Sequence, residues 1–447
     1  MTALAVVLGG GISGLSSAYY LARSQALRFG KVVVVESSHR TGGWVNTTVS
    51  EDGAIFEHGP RSLRTAGAVG KNTLELMHQL PSGLKSVLFT QAPFTKPFIS
   101  YIMKEPFVKT EIEEDESVHD FIRKRLGNEI ADYVMDPLCI GIFAGDARKL
   151  SAKSCFPAIF DPARQRGSLI KGLFLQGKEA KSESNCALVK QAKKERWPVW
   201  TLQGGLQTLT DKLTDTLMTQ HGVEIIKQNQ CKQLEFTDNN TIKVTTKDNC
   251  YTADHVISAV PATVLSGLLP SNHNILSKLL QEIQQVSVAV INLEFEGNVL
   301  PTDGFGYLIP SWEKSKLLGV IYDSCTFPQH NRPGSPTTRL TCMMGGHWFE
   351  DNFGDPAIAD PEHLLAVAME SLKEQINIEA KPTRSIVNIH KDAIPQYRVG
   401  HFKIVDKINK YLDHHNMPLD VIGSSFCGVS VNDCIYNGRR TAEKLLT

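Results

Sequence analysis

Three glycines and one carboxylate near the start of the sequence have the spacing of a dinucleotide-binding site. Gly9, Gly11 and Gly14 follow an apolar run and form the pattern G-x-G-x-x-G. In this pattern the first glycine permits a tight turn, the second lets the backbone approach a pyrophosphate, and the third lets a helix pack closely on a strand. Glu36 ends the next apolar run, Val32–Val35. A carboxylate there accepts hydrogen bonds from the adenosine ribose, so we expect a dinucleotide to bind here.

A strand, a helix and a second strand must position these residues, and the sequence predicts all three between residues 4 and 36. Ile12, Leu15, Tyr19 and Ala22 recur at the spacing of a helix packed on a sheet. The N-terminus of this helix would direct free N–H groups and the positive end of its dipole at the diphosphate. A glycine turn and a hairpin that reaches Phe56 are expected to follow.

The rest of the sequence predicts that the dinucleotide-binding domain is discontinuous. Residues 65–199 have a mainly helical pattern, paired strands are expected around 223–226 and 242–246, and residues 285–400 alternate as in a second sheet. A final strand, a turn through Gly428 and a helix from about Val431 return to the first domain. This interleaved layout favours a tightly held flavin, because nicotinamide dehydrogenases usually keep the dinucleotide fold in one block.

We therefore expect an α/β protein with a discontinuous Rossmann-like FAD-binding domain, a mixed-sheet substrate domain and a helical domain that could associate with a membrane. The expected boundaries are 1–64, 200–265 and 418–447 for the FAD-binding domain, 65–199 for the helical domain and 266–417 for the substrate domain.

Composition narrows the function classes. The 447 residues include 42% hydrophobic side chains, with 47 basic and 47 acidic groups and a formal net charge of +0, so nucleic acid is not an expected partner. The nine cysteines contain no C-x-x-C pair, so we expect neither a metal site nor a disulfide framework. No signal peptide fits before the first strand, and Pro261 interrupts the longest apolar run, so any membrane contact is expected to be peripheral.

Four further motifs carry a family resemblance over nearly the whole chain. They are Gly141–Asp146, Gly304–Leu308, Ile394–Tyr397 and Gly428–Cys434. With the N-terminal glycines, they make the sequence similar to the oxygen-dependent protoporphyrinogen oxidases of the animal mitochondrial type, within the flavin amine-oxidase superfamily. The resemblance implies FAD-dependent, six-electron oxidation of protoporphyrinogen IX to protoporphyrin IX, with O2 as acceptor and H2O2 as product, in haem biosynthesis.

The resemblance also implies site residues. Those expected to contact FAD are Gly9, Gly10, Gly11, Ile12, Ser13, Gly14, Glu36, Ser37, Gly43, Trp44, Gly59, Pro60, Arg61, Ser62, Cys231, Ser424, Val429, Ser430 and Val431. Those expected to face the macrocycle are Phe305, Gly306, Leu308, Met343 and Ile394, although an ordinary core role is the alternative for Met343 and Ile394. No catalytic acid–base pair is expected, because the cofactor supplies the redox chemistry.

The resemblance implies a homodimer on the outer face of the inner mitochondrial membrane, with handover of product to ferrochelatase. Two stretches with basic residues and apolar side chains, Leu84–Met103 and Leu169–Leu175, could lie at a bilayer surface. A face buried inside the protein is at least as good an explanation for each of them.

The sequence departs from the family in one place. Relatives carry an aromatic-rich insert after the helix that ends near Gln79, with an arginine close to a substrate propionate, whereas this chain continues directly into Leu80–Leu84. Arg61, Arg64 and Arg398 stay open as replacements for that arginine. Two other functions also stay open: a non-catalytic or impaired FAD- or porphyrin-binding form, and another flavin oxidase acting on amines or carotenoids. For His58 and His401 we expect structural roles.

Overall fold

The computed structural model describes residues 3–24, 28–64, 94–108, 113–174, 187–195, 197, 199–334 and 336–447. The segment around Gln79, and with it the expected departure from the family, lies outside the described residues, as do parts of Leu84–Met103 and Leu169–Leu175. The strands in chain order are β1 (Leu4–Leu8), β2 (Lys31–Val35), β3 (Thr47–Val49), β4 (Ile55–Glu57), β5 (Leu63–Arg64), β6 (Val199–Trp200), β7 (Glu224–Ile226), β8 (Cys231–Phe236), β9 (Ile242–Thr246), β10 (Cys250–Ala253), β11 (His255–Ser258), β12 (Gln285–Glu296), β13 (Gly306–Leu308), β14 (Leu317–Tyr322), β15 (Thr337–Gly346), β16 (Arg384–Pro395) and β17 (Leu419–Val421).

Helices alternate with these strands and dominate the region between β5 and β6. In chain order they are α1 (Ile12–Ala22), α2 (Phe98–Lys104), α3 (Val118–Leu126), α4 (Asn128–Ile130), α5 (Asp136–Phe143), α6 (Ala152–Cys155), α7 (Pro157–Arg166), α8 (Leu169–Phe174), α9 (Ala187–Glu195), α10 (Gln207–Gln220), α11 (Ala262–Leu268), α12 (Asn274–Gln281), α13 (Asp323–Thr326), α14 (Phe349–Phe353), α15 (Pro361–Ile376), α16 (His401–His414) and α17 (Val431–Leu446).

A five-stranded parallel sheet gathers strands from distant parts of the chain in the order β17-β11-β1-β2-β7. Val6 of β1 lies opposite Val33 on one side and Val256 on the other. These strands are rich in valine and buried on both faces, as parallel strands covered by helices and a second layer require. The arrangement confirms the expected discontinuous α/β fold.

The two faces of the parallel sheet pack against different layers. One face buries Val7 against Leu15 of α1 and Ala442 of α17. The other face buries Val6 against Leu234 and Val244, which belong to the three-stranded antiparallel sheet β10-β9-β8. Strand β1 is therefore packed on both faces, and this packing fixes the position of the turn that leads into α1.

A second five-stranded sheet has the order β13-β14-β15-β12-β16, and all its pairs are antiparallel. The first large sheet is therefore parallel and the second is antiparallel, and parallel and antiparallel pairs are not mixed within the second sheet. One face buries Leu293 and Leu340 against Leu364 and Ala368 of α15. The opposite face is turned toward the β3–β4 hairpin, where Arg339 donates to the carbonyl of Ile55 at 2.7 Å.

The described residues between 94 and 195 are mainly helical, as expected, and share a core that includes Phe121, Ile159 and Phe160. Within the described ranges, no helix combines the length and the apolar character needed to cross a membrane. The domain boundaries that the sequence indicated stay a prediction.

One expected pairing is wrong. Strand β7 pairs in parallel with β2, whereas β9 pairs with β8 and β10, so the strands near 224–226 and 242–246 belong to different sheets. The alternation that identified each strand carries no information about its partner, because strand pairing is decided by long-range packing.

Candidate functional site

The turn after β1 exposes backbone N–H groups in the way that a diphosphate requires. Gly9 has φ +95°, a conformation that glycine adopts without strain. Helix α1 then begins at Ile12, and no side chain caps its first N–H groups at Gly11. Because the first N–H groups of a helix have no intrahelical partner, the start of α1 presents both free donors and a positive dipole end.

The three motif glycines differ in what surrounds them. A Cβ at Gly14 would lie 1.9 Å from the carbonyl oxygen of Gly9, so this glycine is required for the helix to pack on the turn. A Cβ at Gly11 would meet only the Cα of Gly43, at 3.9 Å. The space beside Gly11 is therefore open, which fits the close approach of a diphosphate to the backbone.

The Glu36 carboxylate is placed at the same turn. It is 9% exposed. Its Oε2 accepts from the Gly10 amide at 2.7 Å and its Oε1 from the Ser38 amide at 2.7 Å, with the Ser37 hydroxyl at 3.4 Å from Oε1. Each carboxylate oxygen has further lone pairs, so Glu36 can brace the turn and still accept from ribose hydroxyls. The bracing role was missed by the sequence reasoning.

Cys231 follows a segment that is hydrogen-bonded to the backbone of Glu36. It begins β8, and the amide of Asn229, two residues earlier, donates to the Glu36 carbonyl at 3.0 Å. This position, next to the expected ribose site, suits the predicted backbone contact with the adenine. Burial raises the pKa of the Cys231 thiol to about 11, so the thiol itself stays neutral.

The C-terminal loop reaches the start of α1. A Cβ at Gly423 would lie 3.6 Å from Ser13 Oγ, and Val431 shares a buried cluster with Ile12. Ser430 caps α17 reciprocally with Asp433. Residues from both ends of the chain thus meet at one helix N-terminus, with Ser424 and Val429 on the loop that joins them.

Tyr397 ties this loop to the antiparallel sheet. Its hydroxyl donates to the carbonyl of Ser424, and its ring stacks on His401 with centroids 4.1 Å apart. His401 Nε2 lies 3.3 Å from the carbonyl oxygen of Phe426, and burial lowers the pKa of His401 to about 4. His401 is therefore neutral and hydrogen-bonded, in agreement with the expected structural role.

The segments expected beside the flavin also contact one another. A Cβ at Gly59 would lie 2.0 Å from the carbonyl oxygen of Trp44, and one at Gly43 would lie 3.2 Å from the Cα of Gly11. Trp44 is 42% exposed, and its ring meets the edge of His390 with centroids 5.2 Å apart. These contacts bring Gly43, Trp44 and Gly59 together, with Pro60 and Ser62 following in the same segment.

His58 connects this segment to the antiparallel sheet. Its Nε2 lies 2.6 Å from Thr48 Oγ1, and its Nδ1 lies 3.0 Å from Asn292 Oδ1. Its carbonyl accepts from His390 Nε2 at 2.6 Å. Burial lowers the pKa of both histidines. Hydrogen bonds account for both ring nitrogens of His58, which agrees with a structural role.

Arg61 is committed to a buried ion pair. Its guanidinium is 2.6 Å from Asp323 Oδ1, and both side chains are almost fully buried. The other oxygen of Asp323 accepts from Thr341 at 2.6 Å. Arg61 is therefore not free to bind a substrate carboxylate, and any cofactor contact it makes would be through its backbone. Arg398 is exposed, and the side chain of Arg64 lies outside the described residues.

Three of the five predicted substrate residues lie against helix α5. Met343 and Ile394 pack on one cluster, and Leu308 lies against Gly141, whose Cβ would be 2.8 Å from Leu308 Cδ1. We call this cluster the apolar wall. Its members are Ile140, Ala144, Val286, Val288, Leu318, Met343, Trp348, Ala393 and Ile394.

The other two predicted substrate residues are placed differently. Phe305 is 58% exposed at the end of β13 and is not part of the apolar wall. Gly306 has φ +131°, and a Cβ there would lie 2.1 Å from the carbonyl oxygen of Val320. The close neighbour that requires this glycine is thus the paired strand β14, and a contact of Gly306 with the macrocycle stays a prediction.

Asp136 was not singled out by the sequence reasoning, although Asp136-Pro137 precedes a family motif. The fully buried carboxylate accepts from the Ser311 amide at 2.7 Å and from the Ser311 hydroxyl at 3.0 Å. Arg148 donates to it at 3.2 Å. Asp136 therefore holds the loop after β13 against α5 and keeps Leu308 beside Gly141.

No group of three or more potential metal ligands is present among the described residues. The described residues thus form two features: a glycine turn at the start of α1 that suits a dinucleotide, and the apolar wall. The antiparallel sheet contributes to the wall and contacts the segments around the turn.

Comparison with known proteins identifies relatives of this chain. The model of the flavin containing amine oxidoreductase family matches residues 80–446, and that of an NAD(P)-binding Rossmann-like domain matches residues 7–80. The protoporphyrinogen oxidase of Homo sapiens is 40% identical, and the alignment covers 99% of this chain and 98% of that protein. The protoporphyrinogen oxidase of Bos taurus is 39% identical over the same shares of the two chains.

Solved structures agree with the fold. A crystal structure from Exiguobacterium sp. 255-15 has a TM-score of 0.77 at 20% identity and covers 100% of this chain and 99% of its own. Reduced UDP-galactopyranose mutase has a TM-score of 0.68 at 14% identity, with 100% and 94% covered. At these identities the likeness shows the fold alone.

Proposed function

The chain belongs to the flavin containing amine oxidoreductase family, and we propose that it oxidises protoporphyrinogen IX to protoporphyrin IX with FAD as cofactor and O2 as electron acceptor. It is an oxidoreductase and a flavoprotein, with relatives named protoporphyrinogen oxidase. The reaction removes six electrons and six protons from the macrocycle and releases H2O2, which places it in haem biosynthesis.

One observation supports this substrate more than any other: a single face of the antiparallel sheet runs from the dinucleotide side to the apolar wall. Asn292 of β12 holds His58, and two residues earlier Val290 lies opposite Met343. Alternate residues of a strand share a face, so Val290 and Asn292 lie on the same face of the sheet. The apolar wall therefore continues the face on which Asn292 contacts the segment of His58 and Gly59. A large apolar ring on this wall would lie next to the cofactor site.

The residues present fit FAD. The open side of Gly11, the uncapped start of α1 and the Glu36 carboxylate would hold the diphosphate and the ribose. When bound, FAD supplies the two-electron redox chemistry, so three oxidative turnovers are needed. The protein contributes orientation and the exclusion of water: Leu308, Met343 and Ile394 offer an apolar surface to the macrocycle, and Asp136 fixes the elements that carry Leu308 and Gly141.

Further parts of the proposal concern partners and location. We propose a homodimer that contacts the inner mitochondrial membrane peripherally from the intermembrane-space side and hands its product to ferrochelatase. The apolar character of the substrate supports access from a membrane surface, because such a compound partitions into lipid.

The proposed function is tested by anaerobic mixing of the FAD-loaded protein with protoporphyrinogen IX, and separately with a diamine such as putrescine. With protoporphyrinogen alone we expect loss of the oxidised flavin absorbance, and porphyrin fluorescence only after O2 is admitted, because each FAD takes two of the six electrons and must be reoxidised between turnovers. If the flavin stays oxidised while tetrapyrrole binds, the chain is a non-catalytic binding form. If only the amine bleaches the flavin, the chain is an amine oxidase.

A pair of variants connects the assay to the apolar wall. Met343→Asp would place a charge in the wall and should abolish bleaching by protoporphyrinogen while flavin content is retained. Val264→Asp, at an exposed position of α11, is the matched control and should bleach at the wild-type rate. Equal rates for both variants would contradict the assignment of the substrate to this wall.

A further inference from the structure

Two basic residues and a histidine border the apolar wall at the C-terminal end of α5. Lys149 Nζ lies 2.8 Å from His347 Nε2. Because a lysine ammonium group can only donate, Nε2 must accept, and the imidazole proton is then on Nδ1. The pair therefore carries a positive charge, and each side chain keeps at least one further N–H donor.

Backbone hydrogen bonds fix this group next to the wall. The His347 amide donates to the carbonyl of Ala144 at 2.8 Å, and Ala144 is a member of the wall. The Val399 amide donates to the carbonyl of Lys149 at 3.2 Å, and Leu150 forms a bridge with Arg398. Three segments that are far apart in sequence thus place Lys149, His347 and Arg398 along one border of the apolar wall.

The charges in this group are not balanced by the protein. Asp146 and Asp351 favour protonation of His347, but burial, Lys149 and Arg398 outweigh them and lower the pKa of His347. Asp146 also accepts from the Arg148 amide at 2.9 Å. In the described part of the chain, Arg148 is paired with Asp132 and Asp136, whereas neither Lys149 nor Arg398 forms an ion pair.

We propose that Lys149, His347 and Arg398 form a subsite that binds a carboxylate of the tetrapyrrole, and we call them the carboxylate subsite. The inference rests on the proposed function. The substrate is apolar over most of its surface and carries two propionates at one edge, and an apolar wall bordered by unpaired cations matches that distribution of charge. Arg61, another of the three arginines that the sequence left open, is held by Asp323.

The test compares binding of protoporphyrin IX and of its dimethyl ester to the FAD-loaded protein by fluorescence titration. Lys149→Met and Arg398→Met keep an unbranched side chain but remove the charge. Each should weaken binding of the free acid roughly three- to tenfold at low salt, since a partly exposed charge-assisted contact is of moderate strength, and should leave ester binding unchanged. Lys278→Met, at an exposed position of α12, is the matched control and should alter neither.

Salt gives a second readout. Binding of the free acid to the wild type should weaken as ionic strength rises, and this dependence should be smaller in Lys149→Met. If the variants bind acid and ester as the wild type does, or lose both equally, the carboxylate subsite is overturned while the proposed function stands. If the wild type binds neither porphyrin, the proposed function fails and the subsite fails with it.

Discussion

The Glu36 carboxylate is hydrogen-bonded to the amide of Gly10 at 2.7 Å, so the acidic residue at the end of the second strand holds the glycine turn at the end of the first. The side chain also accepts from the Ser38 amide. The shape of the turn and the contact with the ribose that we propose for Glu36 therefore depend on the same buried group.

Glu36→Ala should lose both functions, and we expect at least a tenfold loss of FAD affinity, because two charge-assisted hydrogen bonds to the backbone disappear together with the ribose acceptor. Glu36→Gln keeps an acceptor and should lose less. The measurement is flavin content after gel filtration, followed by titration of the apoprotein with FAD. Unchanged flavin content in Glu36→Ala would contradict the role assigned to this carboxylate.

Two alanine variants in the glycine motif should have different effects. Gly14→Ala would force a Cβ to within 1.9 Å of the Gly9 carbonyl oxygen, and we expect it to destabilise the apoprotein by about 2 kcal/mol or more. Gly11→Ala has room for its Cβ beside Gly43, so it should leave the apoprotein's stability unchanged and weaken FAD binding by obstructing the diphosphate. Urea unfolding of both apoproteins and FAD titration separate the two effects. Equal destabilisation by the two substitutions would contradict the open space beside Gly11.

The elements around the cofactor were largely predictable because they depend on local sequence. The apolar run before Gly9, the glycine spacing and the helix face of Leu15 indicate a strand, a turn and a helix without reference to the rest of the chain. The helix from Val431 begins where expected, since Ser430 and Asp433 form a capping box that is encoded within four residues.

Relationships between distant residues were not predictable in the same way. The pairing of β7 with β2, the ion pair of Arg61 with Asp323 and the hold of Asp136 on Ser311 each join residues that are far apart in sequence. For Gly306, the residue type showed that something approaches the backbone closely, but only the fold shows that it is the strand β14. The residue type indicates that a close contact exists, whereas the tertiary structure shows which residue makes it.

The buried pair of Arg61 and Asp323 gives a prediction about stability. Arg61→Met would leave the Asp323 carboxylate buried without its cation, and we expect a loss of about 3–5 kcal/mol in the free energy of unfolding. The double variant Arg61→Met, Asp323→Asn removes the uncompensated charge and should recover part of that loss. Urea unfolding measures both. If Arg61→Met kept wild-type stability and instead raised the KM for protoporphyrinogen, Arg61 would be a substrate anchor after all.

His401 gives a prediction about pH. Its pKa in the folded protein is about 4, whereas a histidine in an unfolded chain has a pKa of about 6.5. Between these values the unfolded state binds the proton and the folded state does not, so the contribution of His401 to stability is complete above about pH 6.5 and declines as the pH falls toward about 4. Near pH 5 the decline amounts to about 2 kcal/mol.

His401→Phe keeps an aromatic ring to stack on Tyr397 but cannot titrate, so the free energy of unfolding of this variant should change less between about pH 7 and pH 5 than that of the wild type, by about 2 kcal/mol. His414→Phe, at an exposed position of the same helix, is the control and should keep the wild-type pH dependence. Urea unfolding at the two pH values measures the difference. An identical pH dependence in His401→Phe and wild type would contradict this prediction. It would mean that His401 binds a proton equally readily in the folded and the unfolded chain, despite its buried stack against Tyr397 and its hydrogen bond to Phe426.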